Sequence, residues 1–280
     1  MQIKNTDGTK TVYSTLGDAA NEAMVLLHGM GADRTMWQHQ MAEFACNGFY
    51  VIAPDLLGHG QSSKVKHLAL RDWENQIIDL LRAHQRDTGI LIGVSMGGVI
   101  AQSFAVHHPE MVSQLVVSDT FAELKTPLER ALGRSQIVGF WLFKLLGPAT
   151  MAKGMASTYQ AAFAQPAKDY FSQMALEADF EQLILARQAI NRIDIVEQLR
   201  TLKIPTLVMV GDQFGQFFIE INRKIAHAIK DAKFVVLKEA MDPSNLVNPA
   251  SFNRETLSFL NEKPPAYQGS AIGLINGDKI

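Results

Sequence analysis

The chain has 280 residues, 47% of them hydrophobic and 19% charged, with a mean hydropathy of +0.02. That supplies a sizeable core and argues against a disordered chain. A formal net charge of −2 and a pI near 6.4 leave no electrostatic case for a nucleic-acid partner, whose binders carry a basic face. The single cysteine, Cys46, cannot form an internal disulfide and fits a reducing cytoplasm.

In chain order, the stretch from Met1 to Gly8 lacks an apolar core of signal-peptide length. Short apolar runs at 11–14, 24–27, 50–53, 90–93 and 114–117 predict strands. Helix-period segments at 36–47, 73–88 and 96–107 separate them. This alternation signals an α/β fold, a mostly parallel central sheet with flanking helices. From 121 to 202 no strand signal appears, and runs at 128–146, 151–163, 168–175 and 180–191 suit about four helices. The longest apolar stretch, 137–146, falls far short of the roughly 20 residues of a membrane span and contains Lys144. Strands resume at 206–210 and 233–237, with helices at 219–229 and 249–260. The tail, with Pro264-Pro265, Gly269, Gly273 and Gly277, has loop composition.

The expected organisation is a core formed by 1–120 and 203–262, an all-helical cap at 121–202 inserted after strand six, and a C-terminal tail at 263–280. Such a cap would cover the C-terminal edge of the sheet, where ligands bind in open α/β folds. It is rich in large apolar side chains, Phe140, Trp141, Phe143, Met151, Met155, Phe163 and Met174 among them. Most are expected to pack cap against core. The remainder, Trp141 included, are expected to line an apolar pocket.

Three segments carry the chemistry: Leu26-Leu27-His28-Gly29-Met30-Gly31, Asp55-Leu56-Leu57-Gly58-His59-Gly60 and Gly93-Val94-Ser95-Met96-Gly97. In this order and spacing, with a strand before and a helix after the serine, they resemble the α/β-hydrolase superfamily. The length and pattern of the helical insertion are also similar to the four-helix cap of the bacterial stress-regulator and strigolactone/karrikin-receptor branch. The resemblance implies a cofactor-independent hydrolase in which Ser95 is the nucleophile. Its oxyanion donors would be the backbone N–H groups of Met30 and Met96.

Where the family carries its acid, as the last residue of G-x-x-D, Gly211-Asp212-Gln213-Phe214 ends in an aromatic. Where it carries Gly-His, this chain has Met241-Asp242. None of the eight histidines lies in the last 53 residues. A serine hydroxyl is a weak nucleophile without a base. Asp242 is the first substitute to consider, since burial would raise its pKa toward a useful value; otherwise it caps the turn opened by Pro243. His28 and His59 lie at the active edge, but in motifs where the histidine is mainly structural. His39, His67, His84 and His227 are expected to be exposed. Asp119 occupies a position that supplies the acid in some relatives, but has no histidine to orient. Asp55 is expected to order its own loop.

No Cys/His cluster has zinc spacing, and neither a phosphate-binding loop nor a dinucleotide fingerprint is present. Two functions remain. One is an atypical, slow serine esterase acting on an apolar acyl substrate, with Ser95 and Asp242 catalytic and Phe214, Trp141 and Met241 contacting substrate. The other is a non-catalytic protein on the hydrolase scaffold that binds a small apolar ligand or a protein partner.

Overall fold

The computed structural model describes residues 1–262. The tail expected at 263–280 lies outside the described residues. Eight strands form one sheet: β1 (Gln2–Lys4), β2 (Lys10–Leu16), β3 (Glu22–Leu27), β4 (Phe49–Pro54), β5 (Gly89–Val94), β6 (Val112–Ser118), β7 (Thr206–Gly211) and β8 (Lys233–Leu237). Their order is β1-β2-β4-β3-β5-β6-β7-β8. The pairs β1–β2 and β2–β4 are antiparallel and all others parallel. The central strands are apolar on both faces because helices cover both. β1 carried no apolar signal: it is three residues long, lies at the sheet edge and buries little.

Six helices flank the sheet: α1 (Gln38–Cys46), α2 (Leu70–Ala83), α3 (Met96–His107), then, late in the chain, α9 (Gln216–Ala228), α10 (Ser244–Val247) and α11 (Pro249–Leu260). Between β6 and β7 lie α4 (Pro127–Leu146), α5 (Pro148–Thr158), α6 (Gln165–Leu176), α7 (Phe180–Ile190) and the single turn α8 (Val196–Leu199). Side-chain alternation splits the core into two layers. Val25 and Leu27 face Trp73 and Leu80 of α2 and Val99 of α3, whereas Met24 and Leu26 face Phe44 of α1 and Phe252 of α11. Each such buried side chain contributes roughly 1.5–3 kcal/mol.

The inserted helices have local start signals. Thr126 and Glu129 form a reciprocal capping box with Pro127 in the first turn of α4. The Asp179 carboxylate accepts from the Glu181 and Gln182 N–H groups at the start of α7. Leu183 and Phe180 of α7 then pack with Met151 and Met30, joining the inserted segment to the loop after β3. No helix among the described residues is long and apolar enough to cross a membrane.

Candidate active site

Ser95 joins β5 to α3 with φ 56° and ψ −117°. This conformation costs a non-glycine residue on the order of 1–3 kcal/mol and persists only where neighbours hold it. They do so here through the backbone. Ser95 N–H donates to Ser118 O at 2.9 Å, while Ser95 O accepts from Thr120 Oγ1 at 2.9 Å and Val99 N–H at 3.1 Å. The flanking glycines are required by contact. A Cβ at Gly97 would lie 1.9 Å from Leu27 O, and one at Gly93 would lie 2.2 Å from Gly97 O.

The loop after β3 closes on this turn: a Cβ at Gly29 would sit 3.5 Å from the Ser95 Cβ. Met96 opens α3, so its N–H has no partner within the helix. Neither the Met96 nor the Met30 N–H donates to another group among the described residues. Met96 is buried and Met30 half-buried. The Met96 N–H, next to Ser95 at the N-terminus of α3, is the kind of donor that suits an oxygen gaining negative charge.

Ser95 Oγ donates to Asp242 Oδ2 at 2.9 Å. Among the described residues no histidine bonds Ser95. Asp242 stands on the loop between β8 and α10, and Asp119, at the end of β6, holds that loop in place. The Asp119 carboxylate accepts from the Ser244 N–H (2.9 Å), the Ser244 hydroxyl (3.0 Å), the Gly211 N–H (2.9 Å) and the Ser118 hydroxyl (3.0 Å). Tyr159, at the end of α5, donates its phenol to Asp242 O at 2.9 Å. The inserted helices and the core thus grip the same residue.

Burial of its carboxyl group is the main cause that raises the Asp242 pKa to about 8, and the nearby Asp119 carboxylate adds to it. The Ser95 hydroxyl and the Arg187 guanidinium pull the other way. Burial also raises Asp119, but four donors oppose that push. Both carboxyl groups are thus held above the ordinary carboxylate range, Asp119 in spite of its four donors. Burial and the Asp242 carboxylate keep the Tyr159 phenol protonated.

The histidines at the active edge have other tasks. Leu56 N–H donates to His28 Nε2 at 3.0 Å, which leaves the His28 Nδ1 proton for Gly29 O at 2.8 Å. His59 packs edge-on against His28, and burial lowers its pKa to about 3. His84 departs from its expected exposure: it is half-buried, with Nδ1 3.1 Å from the Tyr50 hydroxyl. His39, His67 and His227 are exposed. Asp55 accepts from the Arg34 and Gln61 N–H groups at 2.8 and 2.7 Å and pairs with the Arg34 guanidinium.

Two expected substrate contacts are displaced. Trp141 is 51% exposed on the outer face of α4, beneath the Lys144 ammonium. Phe140 and Phe143 occupy the inward face, and one residue along a helix turns a side chain well away from its neighbour. Phe214 turns toward α9, where its ring meets Phe218 edge-on at 4.2 Å, because Asp212–Phe214 forms a short 3-10 turn. Met241 is half-buried against the α1/α11 layer, next to Asp242. Asp119 departs from its expected idleness, since it organises the loop that bears Asp242. Sequence reasoning missed Tyr159, Ser244 and Arg187. Arg187 had a signal: it interrupts the buried stripe Leu183, Ile184 and Ile190 of α7 at helical spacing.

The family model described as serine aminopeptidase, S33, matches residues 18–213. The chain belongs to that α/β-hydrolase family. Its relatives include 3-oxoadipate enol-lactonase 2 of Acinetobacter baylyi, 27% identical over 246 residues that cover 86% of this chain and 89% of that protein. Another is the pimeloyl-(acyl-carrier protein) methyl ester esterase of Vibrio vulnificus, 23% identical and covering 84% of this chain and 93% of that protein. Among solved structures, the enol-lactonase from Burkholderia xenovorans superposes with a TM-score of 0.80 at 21% identity, over 94% of this chain and all of its own. A thermophilic esterase from Thermogutta terrifontis, with malate bound, gives a TM-score of 0.80 at 26% identity over 93% of this chain and 97% of its own.

Proposed function

We propose that this hydrolase cleaves carboxylic esters through a Ser95–Asp242 pair in place of the usual serine–histidine–acid triad. The observation that carries the reading is the 2.9 Å hydrogen bond from Ser95 Oγ to Asp242 Oδ2. Ionised Asp242 takes the Ser95 proton as Oγ attacks the acyl carbonyl carbon. The Met30 and Met96 N–H groups hold the resulting oxyanion. Collapse of the intermediate breaks the acyl–oxygen bond, and the Asp242 proton passes to the departing alkoxide. Water then hydrolyses the acyl-serine with Asp242 again as base, which restores both groups.

An aspartate with an ordinary pKa near 3.9 would be too weak a base for this work. With its pKa raised to about 8, Asp242 enters the range in which general bases operate, at the cost of being only about a tenth ionised at pH 7. The reading is thus of a slow enzyme. The helices from α4 to α7 act as its cap, whose buried Met151, Phe180 and Leu183 pack with the half-buried Met30 of the loop after β3. The enol-lactonase and methyl ester esterase relatives support the class of bond.

The test is hydrolysis of short p-nitrophenyl esters. Wild type is expected to turn over slowly and Ser95→Ala not at all. Equal background rates from the two proteins would refute the Ser95–Asp242 pair and favour a binding role.

A further inference from the structure

Arg187 stands over the Phe121 ring but has no carboxylate partner to offset its burial. It lies on α7 with only 9% of its surface exposed, yet makes no hydrogen bond and no ion pair with any described residue. Its Nε is buried without a partner. A guanidinium in such a place is expensive, because burial of a charge is normally offset by a paired carboxylate and satisfied donors. Burial depresses its pKa only to about 10, so it stays charged at neutral pH.

Its position relates it to the site. The Arg187 guanidinium lies 5.4 Å from the centre of the Phe121 ring. Phe121 follows Thr120, whose hydroxyl holds the Ser95 carbonyl. One turn earlier on α7, Leu183 reaches the loop after β3, its Cδ2 3.9 Å from where a Gly31 Cβ would be. The guanidinium thus lies against the segment after β6 that holds the elbow through Thr120. Asp242 is the one titratable group whose charge acts on it appreciably, and it lies beyond ion-pair distance.

Resting on the ester-hydrolase reading, we infer that Arg187 is an anion subsite that binds a carboxylate at the far end of the acyl chain, so that the substrate is a monoester of a dicarboxylic acid. The planar fork of a guanidinium matches a carboxylate in two parallel hydrogen bonds. A single positive charge near Asp242 suits a monoanion better than a dianionic phosphate, whose second charge would have no cation to offset it beside that carboxyl group. The half-buried Met30, packed on Leu183, would meet the methylene chain between the two ends.

Calorimetric titration tests this on the Ser95→Ala protein, with monomethyl adipate and its neutral counterpart dimethyl adipate. The ratio of affinities is expected to favour the anion by at least about ten-fold, the scale of hydrogen bonds to a charged group. In Ser95→Ala/Arg187→Met the ratio is expected to fall to about one. With Arg187→Lys, which keeps the charge but loses the fork, it should fall part-way. A ratio near one in the parent, no binding of either ester at millimolar concentration, or a preference unaffected by either substitution would each overturn the assignment. Displacement of monomethyl adipate by equimolar inorganic phosphate would overturn the choice of carboxylate.

Thermal melting supplies a readout that folding problems do not obscure. Arg187→Met is expected to melt no lower than its parent, because it removes an unpaired buried charge. A fall of several degrees would mark Arg187 as structural and overturn the subsite. If the anion is preferred but wild type does not hydrolyse it, the ester-hydrolase reading fails while the subsite stands. If wild type hydrolyses both esters with equal kcat/KM, the reverse holds.

Discussion

The two sides of Ser95 are built on different principles. On the elbow side, β5, α3 and the loop after β3 fix geometry through the backbone: Gly97 cannot tolerate a Cβ, the Ser95 N–H and C=O are both engaged, and two free N–H groups remain. On the opposite side, the loop after β8 supplies a side chain, Asp242, whose carboxylate accepts from the Ser95 hydroxyl. The elbow survives because altering it would break the sheet–helix junction. Asp242 is one side chain on a loop that Asp119 anchors from elsewhere. The geometry of the elbow and the side chain that faces it are thus set by separate parts of the fold.

Several substitutions would break or sharpen that comparison, beginning with the largest effect. Ser95→Ala should remove ester hydrolysis down to the solution rate. Asp242→Asn keeps the shape and removes the base, and kcat should fall about 10²–10⁴-fold, the usual contribution of a general base. Retained activity would separate Asp242 from the chemistry and leave the elbow alone responsible. Asp242→His should move in the other direction. An imidazole with a pKa near 6.5 is mostly neutral at pH 7, whereas Asp242 is only about a tenth ionised, so kcat at pH 7 should rise about ten-fold. An unchanged rate would show that the loop cannot present a base of another shape.

Stability provides a further contrast. The native Asp242 pKa of about 8 lies above the unfolded value near 3.9, so between those values the native state binds more protons. Its stabilising effect is therefore complete below about pH 4 and is lost as pH rises to about 8. Denaturant midpoints measured from pH 5 to pH 8 should fall in wild type and flatten in Asp242→Asn. A parallel slope in both proteins would place the carboxyl in solvent. The smallest effect is expected at Trp141, where Ala should change stability by no more than about 0.5 kcal/mol and leave kcat/KM within about two-fold, since the ring lies on the outer face of α4.

Much of the scaffold was legible in the sequence. Buried central strands read as apolar runs, and the serine motif lay between a run and a helix-period segment, which located the elbow to the residue. The edge strand Gln2–Lys4 was not legible, because it buries too little to show a period. The elbow was legible because its shape depends on local backbone, as at Ser95. It was less so where function depends on long-range contact. Asp119 approaches Ser244 across 125 positions, and Tyr159 approaches Asp242 across 83, separations that no local pattern reports. Composition misled at Trp141: an apolar residue in a ligand-facing segment can still stand on its outer face. Arg187 was marked by its place on a buried stripe, but its lack of a partner needed the fold.

The most direct measurement is the rate at which a fluorophosphonate labels Ser95 in wild type and in Asp242→Asn, followed across pH. The Ser95–Asp242 pair predicts labelling of wild type with a rate that climbs through about pH 8 as Asp242 ionises. Asp242→Asn should be slower by about 100-fold or more, with no inflection there. Equal rates in the two proteins, or no labelling of wild type at any pH, would contradict it.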